Sequence, residues 1–175
     1  HHVSVFKSYA LRQNISSSSY TEFENFFRSD RLLNRNYEQC VITTSGPYYT
    51  LVPKKLFKPA AAAEYLEQVA ELNAKFEATV DAVHLDHQVN VFGLHTFLKD
   101  WCQNRFPNGQ SAHLISSLLR FAQHDLKSDQ ANRLYFYRTG DLLAVVLFKS
   151  HRLHFSNIFQ VQVPEELIYY LGLLF

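Results

Sequence analysis

Glycine placement restricts this 175-residue chain more than any other feature. Its five glycines, Gly46, Gly93, Gly109, Gly140 and Gly172, are so scattered that the nearest two stand 16 positions apart. A Gly-rich phosphate cradle needs glycines a few residues apart, because its backbone approaches the phosphates in conformations that a Cβ forbids. Walker A, dinucleotide and kinase-type loops are therefore excluded by this sequence, and any phosphate chemistry would have to rest on isolated turns.

The remaining composition is that of a globular chain with room for one domain or two small ones. Hydrophobic residues make up 47%, and 15 Phe, 10 Tyr and 1 Trp supply ample bulk for a core. The formal charge of +1 gives no strong field to draw in nucleic acid or an acidic membrane surface. No apolar run reaches the ~18 residues of a membrane helix and no signal peptide opens the chain, so a soluble, cytoplasmic protein is expected. Cys40 and Cys102 lie too far apart in sequence to read as a disulfide framework. The lack of any Met, the opening His1-His2 and an apolar pattern that runs on into Phe175 read as a fragment, or as a chain with residues missing from it.

Along the chain, Val3 to Leu11 predicts a strand and Ser16 to Ser19 a loop. Thr21 with Glu24 makes a capping box for a helix through Phe23, Phe26 and Phe27 toward Leu33. Tyr37 to Thr44 and Tyr48 to Val52 read as two strands joined at Ser45-Gly46-Pro47. A helix starts near Pro59, a second strand pair spans Thr79–Leu85 and Val89–Leu94, and helices follow over His95–Phe106 and Leu114–Phe121. The polar stretch Gln123 to Arg133 reads as a linker. Beyond it the pattern is clearest, with strands at Leu134–Tyr137, Leu142–Phe148 and Leu153–Val161, turns between them, and a helix from Pro164. On these helices and strands Phe97, Trp101, Leu147, Phe155 and Leu167 fall on apolar sides and are expected to be buried.

Three antiparallel strands followed by a helix form the opening of an RNase H-like, actin-like unit. The expected fold is therefore α/β (α+β), with two actin-like ATPase-type subdomains: residues 1–125 form the first, and 132–175 begin a second that is incomplete. A family resemblance points the same way. Thr50-Leu51-Val52-Pro53 with Leu56-Phe57 resembles the TLVP..LF segment of a bacterial family of unknown function, DUF3822. Leu153 to Phe159, then Glu165 to Leu171, resemble its L.NSF.....ED.LYYLL segment, with Asn157 and Phe159 on its Asn and Phe and Tyr169 and Tyr170 on its paired tyrosines. The resemblance covers scattered blocks between Tyr37 and Leu171, and implies two actin-like halves with no established activity.

Catalysis finds little support in the residues. Working actin-like proteins hold phosphates on two hairpins that carry an Asp and small residues in a D-x-G pattern. Here Val3 to Lys7 has neither Asp nor Gly, and Gly140-Asp141 fits an ordinary turn. Nuclease chemistry on two metal ions would need an acid in a first strand, and neither candidate strand carries one. Glu165 and Glu166 suit a helix's first turn. His84/His87 and His151/His154 share H-x-x-H spacing, an odd offset that points the two rings of each pair to opposite faces of a strand. His113 beside Ser111 and Ser116 pairs a base with a nucleophile only on paper. Tyr48, Tyr49 and Phe57 among Lys54, Lys55 and Lys58 mix bases with aromatics, yet alternate as core residues do, so nucleic acid is not the expected partner. No catalytic, cofactor-binding or metal-binding residue is therefore assigned. The expected role is a non-catalytic scaffold or partner-binding module, with an interaction surface around Tyr169, Tyr170 and Leu171; the apolar helix there is expected to be covered by the remainder of the actin-like half in preference to a second chain, which is the minority reading. The alternative is a nucleotide-binding enzyme whose phosphate loops are missing from the chain.

Overall fold

A computed structural model describes residues 19–81, 85, 87–126 and 132–173. The expected strand Val3–Leu11, His84, Lys127 to Gln130, Leu174 and Phe175 lie outside the described residues, as does most of the serine loop.

The strongest strand pattern, Leu142 to Phe148, organises the C-terminal part. Strands β6 (Arg133–Thr139), β7 (Leu142–Lys149) and β8 (Arg152–Gln160) form an antiparallel meander in which β7 is central. An uninterrupted apolar strand has to be covered on both faces, and β7 is. Ala144, Val146 and Phe148 pack with Ile115, Leu119, Ala122 and Leu126 of helix α4 (Leu114–Asp125) and its C-cap. Leu143 and Val145 turn the other way, toward Val161 and helix α5 (Pro164–Gly172), which contributes Leu167, Tyr170 and Leu171. Asp125 at the end of α4 accepts hydrogen bonds from Tyr135 (2.6 Å) and Arg133 (3.4 Å), which ties that helix end to β6. The start of the predicted linker is thus the last turn of α4.

The N-terminal part builds a second antiparallel sheet in the order β2-β4-β3, from β2 (Tyr49–Pro53), β3 (Phe76–Val80) and β4 (Gln88–His95). Leu66 of the short helix α2 (Ala62–Glu67) packs on Val52 and Val91 of this sheet. Gly93 lies where a Cβ would come within 3.1 Å of the Tyr48 Cβ and 3.2 Å of a Leu72 methyl, so a side chain there would press these neighbours aside.

One expectation needs correction, and one strand was not expected. The strands on either side of Ser45-Gly46-Pro47 do not pair. β1 (Val41–Thr44) instead runs parallel to β5 (Gln110–His113), while β2 pairs with β4. The Gly46 carbonyl is held by the His113 ring, so the chain changes sheets there rather than folding back. β5 itself, Gln-Ser-Ala-His, has no apolar alternation and exists through its pairing with β1.

Helices α1 (Ser19–Ser29) and α3 (Thr96–Arg105) meet through aromatic rings. Trp101 lies 5.0 Å from Phe23 and 4.8 Å from Phe27 between ring centroids, and Arg105 stacks its guanidinium over Phe27 at 5.2 Å. Trp101 and Leu147 are buried as expected, whereas Phe97, Phe155 and Leu167 are half-buried. Among the described residues no helix is long and apolar enough to cross a membrane.

Candidate functional site

Among the described residues His113 is the most enclosed titratable group, with no exposed surface. It ends β5 and caps α4, where its Nδ1 accepts the Ile115 amide at 3.4 Å. Nε2 must then carry the proton, and it donates to the Gly46 carbonyl at 2.9 Å. Tyr49 stacks on the ring at 5.1 Å and Phe92 tilts against it at 5.2 Å. Burial pushes the imidazole pKa down to about 4, with the Gly46 hydrogen bond opposing. Ser116 Oγ receives the Asn90 side-chain amide at 2.8 Å. Both ring nitrogens are engaged by the backbone, so His113 anchors structure and has no lone pair to activate Ser111 or Ser116. His95 plays the same capping role for α3, taking the Phe97 amide on Nδ1 at 3.3 Å. The sequence signal for both was a histidine directly before an apolar helical run.

At the β6–β7 turn Gly140 takes φ +58° in open space, the left-handed conformation that such a turn requires. Asp141 is engaged on both sides: its carboxylate accepts from the Gln160 amide at 3.2 Å and its carbonyl from the Val161 amide at 2.6 Å. Glu166 accepts the Gln162 and Val163 amides at 2.7 and 3.3 Å, closing the start of α5. The rings of the basic aromatic cluster also point into the fold, Tyr48 edge-on to Phe76 at 5.2 Å, Tyr49 on His113, and Phe57 against Tyr65 at 6.0 Å. Cys102 has its pKa pushed up to about 11 by burial and then by the nearby Cys40, whose own thiol is raised by burial, so both are poor nucleophiles at neutral pH.

Among the described histidines, one from each H-x-x-H pair lines the same cleft. His87, just before β4, and His151, in the β7–β8 turn, line one cleft of about 510 Å3, whereas His154 lies on other grooves. Among the described residues no group of three or more His, Cys, Asp or Glu side chains is close enough to hold a metal ion.

α5 has two apolar faces. Tyr170 stacks on Phe159 at 4.3 Å and Leu171 packs toward Leu143 and Val145, so these two of the three expected surface residues face inward. Tyr169 is 62% exposed, and with it stand Ile168 at 74% and Leu173 at 63%. A groove of about 490 Å3 opens beside this stripe, lined by Leu147, Phe155, Phe159 and Leu173 among others.

The model of the family described as a protein of unknown function, DUF3822, matches residues 1–175. The chain belongs to the DUF3822 family. A solved structure from Bacteroides thetaiotaomicron VPI-5482, described as a protein with an actin-like ATPase fold and unknown function, is similar to this DUF3822 chain with a TM-score of 0.79 at 16% identity. The match covers 93% of this chain and 64% of that one, so the chain spans just under two thirds of the neighbour's length. At that identity the likeness establishes the fold, a mixed α/β architecture of actin-like ATPase type, and carries no function across. No curated protein matches the chain.

Proposed function

We propose that this DUF3822 chain is a non-catalytic scaffold, a protein-binding module on an actin-like fold whose phosphate hairpin has degenerated. In this reading residues 1–125 form the first actin-like half, and residues 132–175 open the second with β6–β8 and α5. A cytoplasmic setting fits two cysteines left as free thiols.

The observation that carries the proposal is the outer face of α5. Ile168, Tyr169 and Leu173 form an apolar stripe on a helix whose opposite side is already packed. Contiguous exposed apolar surface next to a groove is the mark of an interface, and an amphipathic tyrosine suits its edge. The non-catalytic half of the reading is supported by the Gly140-Asp141 hairpin being an ordinary two-residue turn, with the D-x-G order of a phosphate hairpin lacking around Asp141.

Two measurements test it. Tyr169→Ala with Ile168→Asp is expected to leave the melting temperature within about 2 °C of wild type. The same pair should weaken concentration-dependent association and binding of a hydrophobic dye. Leu171→Asp, which places a carboxylate against Leu143 and Val145, is expected to cost about 3 kcal/mol. Equal destabilisation by both sets would mean that the outer stripe is already covered, and the interface reading fails. Separately, millimolar Mg-ATP is expected to give no stabilisation that Asp141→Ala abolishes; a ligand at a hundred times its Kd adds about 2.7 kcal/mol, which a melt resolves easily. A shift that disappears in Asp141→Ala restores the enzyme.

A further inference from the structure

We propose that the cleft between α4 and the β7–β8 turn binds a small phosphate-bearing ligand through His87, His151 and Arg152. Its floor is Leu126, Phe148 and Leu153, residues of or against the main core, and its rim is polar. The three rim cations or imidazoles come from two separate parts of the chain, the approach to β4 and the turn into β8, and the Gln88 and Gln123 amides complete the lining. Among the described residues no acidic side chain lines the cleft. Among the described residues Arg152 makes no ion pair, and Asp125 at the end of α4 is held by Arg133 and Tyr135. A guanidinium without a carboxylate, beside imidazole and amide donors, forms a site that accepts an oxyanion. Its volume of about 510 Å3 falls within the range of small-molecule sites, and the apolar floor seats the body of a phosphate ester.

The turn supplies an independent observation. Ser150 and His151 both adopt left-handed backbone, at φ +47° and +62°, in a two-residue turn for which Asn-Gly is the unstrained choice. Non-glycine residues held in that region cluster where a side chain is needed in place. Here the conformation keeps an imidazole on the rim of the cleft, where glycine would leave none. The variant Ser150→Asn/His151→Gly is therefore expected to melt higher than wild type and to bind the ligand less well.

The test is calorimetric titration of the whole chain, without divalent metal, by inorganic pyrophosphate, AMP and adenosine at fixed ionic strength. Saturable binding of pyrophosphate or AMP but not of adenosine is expected, and it should weaken at least tenfold in Arg152→Gln. Pyrophosphate tighter than AMP identifies a free phosphate compound as the natural class; AMP tighter identifies a phosphate ester seated on the apolar floor. Lys149→Gln is the control. It removes the same charge three positions earlier, from a side chain that lines the groove beside α5 instead. Equal weakening in Lys149→Gln, or no saturation by any phosphate probe at 10 mM, on the order of a hundred times a typical upper-micromolar Kd, overturns the proposal. All these readouts are independent of Asp141 and α5, so failure here leaves the scaffold reading standing.

Discussion

Trp101→Ala is expected to destabilise the protein by about 3–5 kcal/mol, the range for truncating a large buried aromatic. The indole is only 6% exposed, and its ring is the hub between α1 and α3. Phe23 and Phe27 of α1 reach it at 5.0 and 4.8 Å, Phe106 closes the far side at 6.4 Å, and its Nε1 donates to Glu24 at 3.3 Å. Truncation leaves a cavity bounded by rings that cannot all move into it, since two of them also rest against another partner: Phe23 tilted on Phe97, Phe27 edge-on to Phe106. An 11-residue helix is marginal alone, so α1 should undock before the rest unfolds once its main aromatic anchor is removed. Protease cleavage within α1 and a melting temperature about 10 °C lower are the expected readouts. The comparison is Phe121→Ala, which truncates a ring that is 63% exposed and touches Tyr135 only edge-on. Its cost should stay under about 1 kcal/mol. A similarly small loss for Trp101→Ala would show that α1 does not depend on this contact.

The same contrast between local and distant partners separates what the sequence revealed from what it hid. The β6–β7–β8 meander and the helix from Pro164 were legible because each strand pairs with its chain neighbour and the turns between them are short. β7 gave the clearest signal, since a strand covered by α4 on one face and α5 on the other must be apolar throughout. β5 was invisible for the opposite reason: Gln110 to His113 is polar, short and paired with a strand about seventy positions earlier, in a register no local pattern encodes. The surface around α5 was half legible. Helical spacing put apolar bulk on every side, but only packing against Phe159 decides that Tyr170 faces in while Tyr169 faces out. The His87–His151 cleft could not be read at all, because the two residues stand 64 positions apart and no local pattern links them.

Stability is expected to fall as pH drops from 7 to 5, and His113 should account for about 2 kcal/mol of that loss. In the folded chain its pKa is held down to about 4 against an ordinary value of 6.5. Between these values the unfolded chain takes up a proton that the native chain refuses, so the native state loses ground steadily through that window. Stability is complete above pH ~6.5, and the loss levels off below about pH 4 at roughly 3 kcal/mol, the pKa difference at 1.36 kcal/mol per unit. The geometry explains the refusal. Protonation would put a hydrogen on Nδ1, which faces the Ile115 amide hydrogen 3.4 Å from its nitrogen, turning a helix cap into a clash of two donors. The positive end of the α4 dipole adds to the penalty, and the rings of Tyr49 and Phe92 leave no water to spread the charge. His95 repeats the arrangement more weakly, its pKa lowered by burial and by the Lys75 charge. His113→Asn keeps a side-chain acceptor at the cap but has nothing to titrate. Urea unfolding at pH 7, 6 and 5 should therefore find the variant less stable than wild type at pH 7 and the gap narrowing by about 2 kcal/mol at pH 5. Parallel losses in the two proteins would mean that the imidazole is solvated in the native state, and that the Gly46 and Ile115 contacts do not hold it.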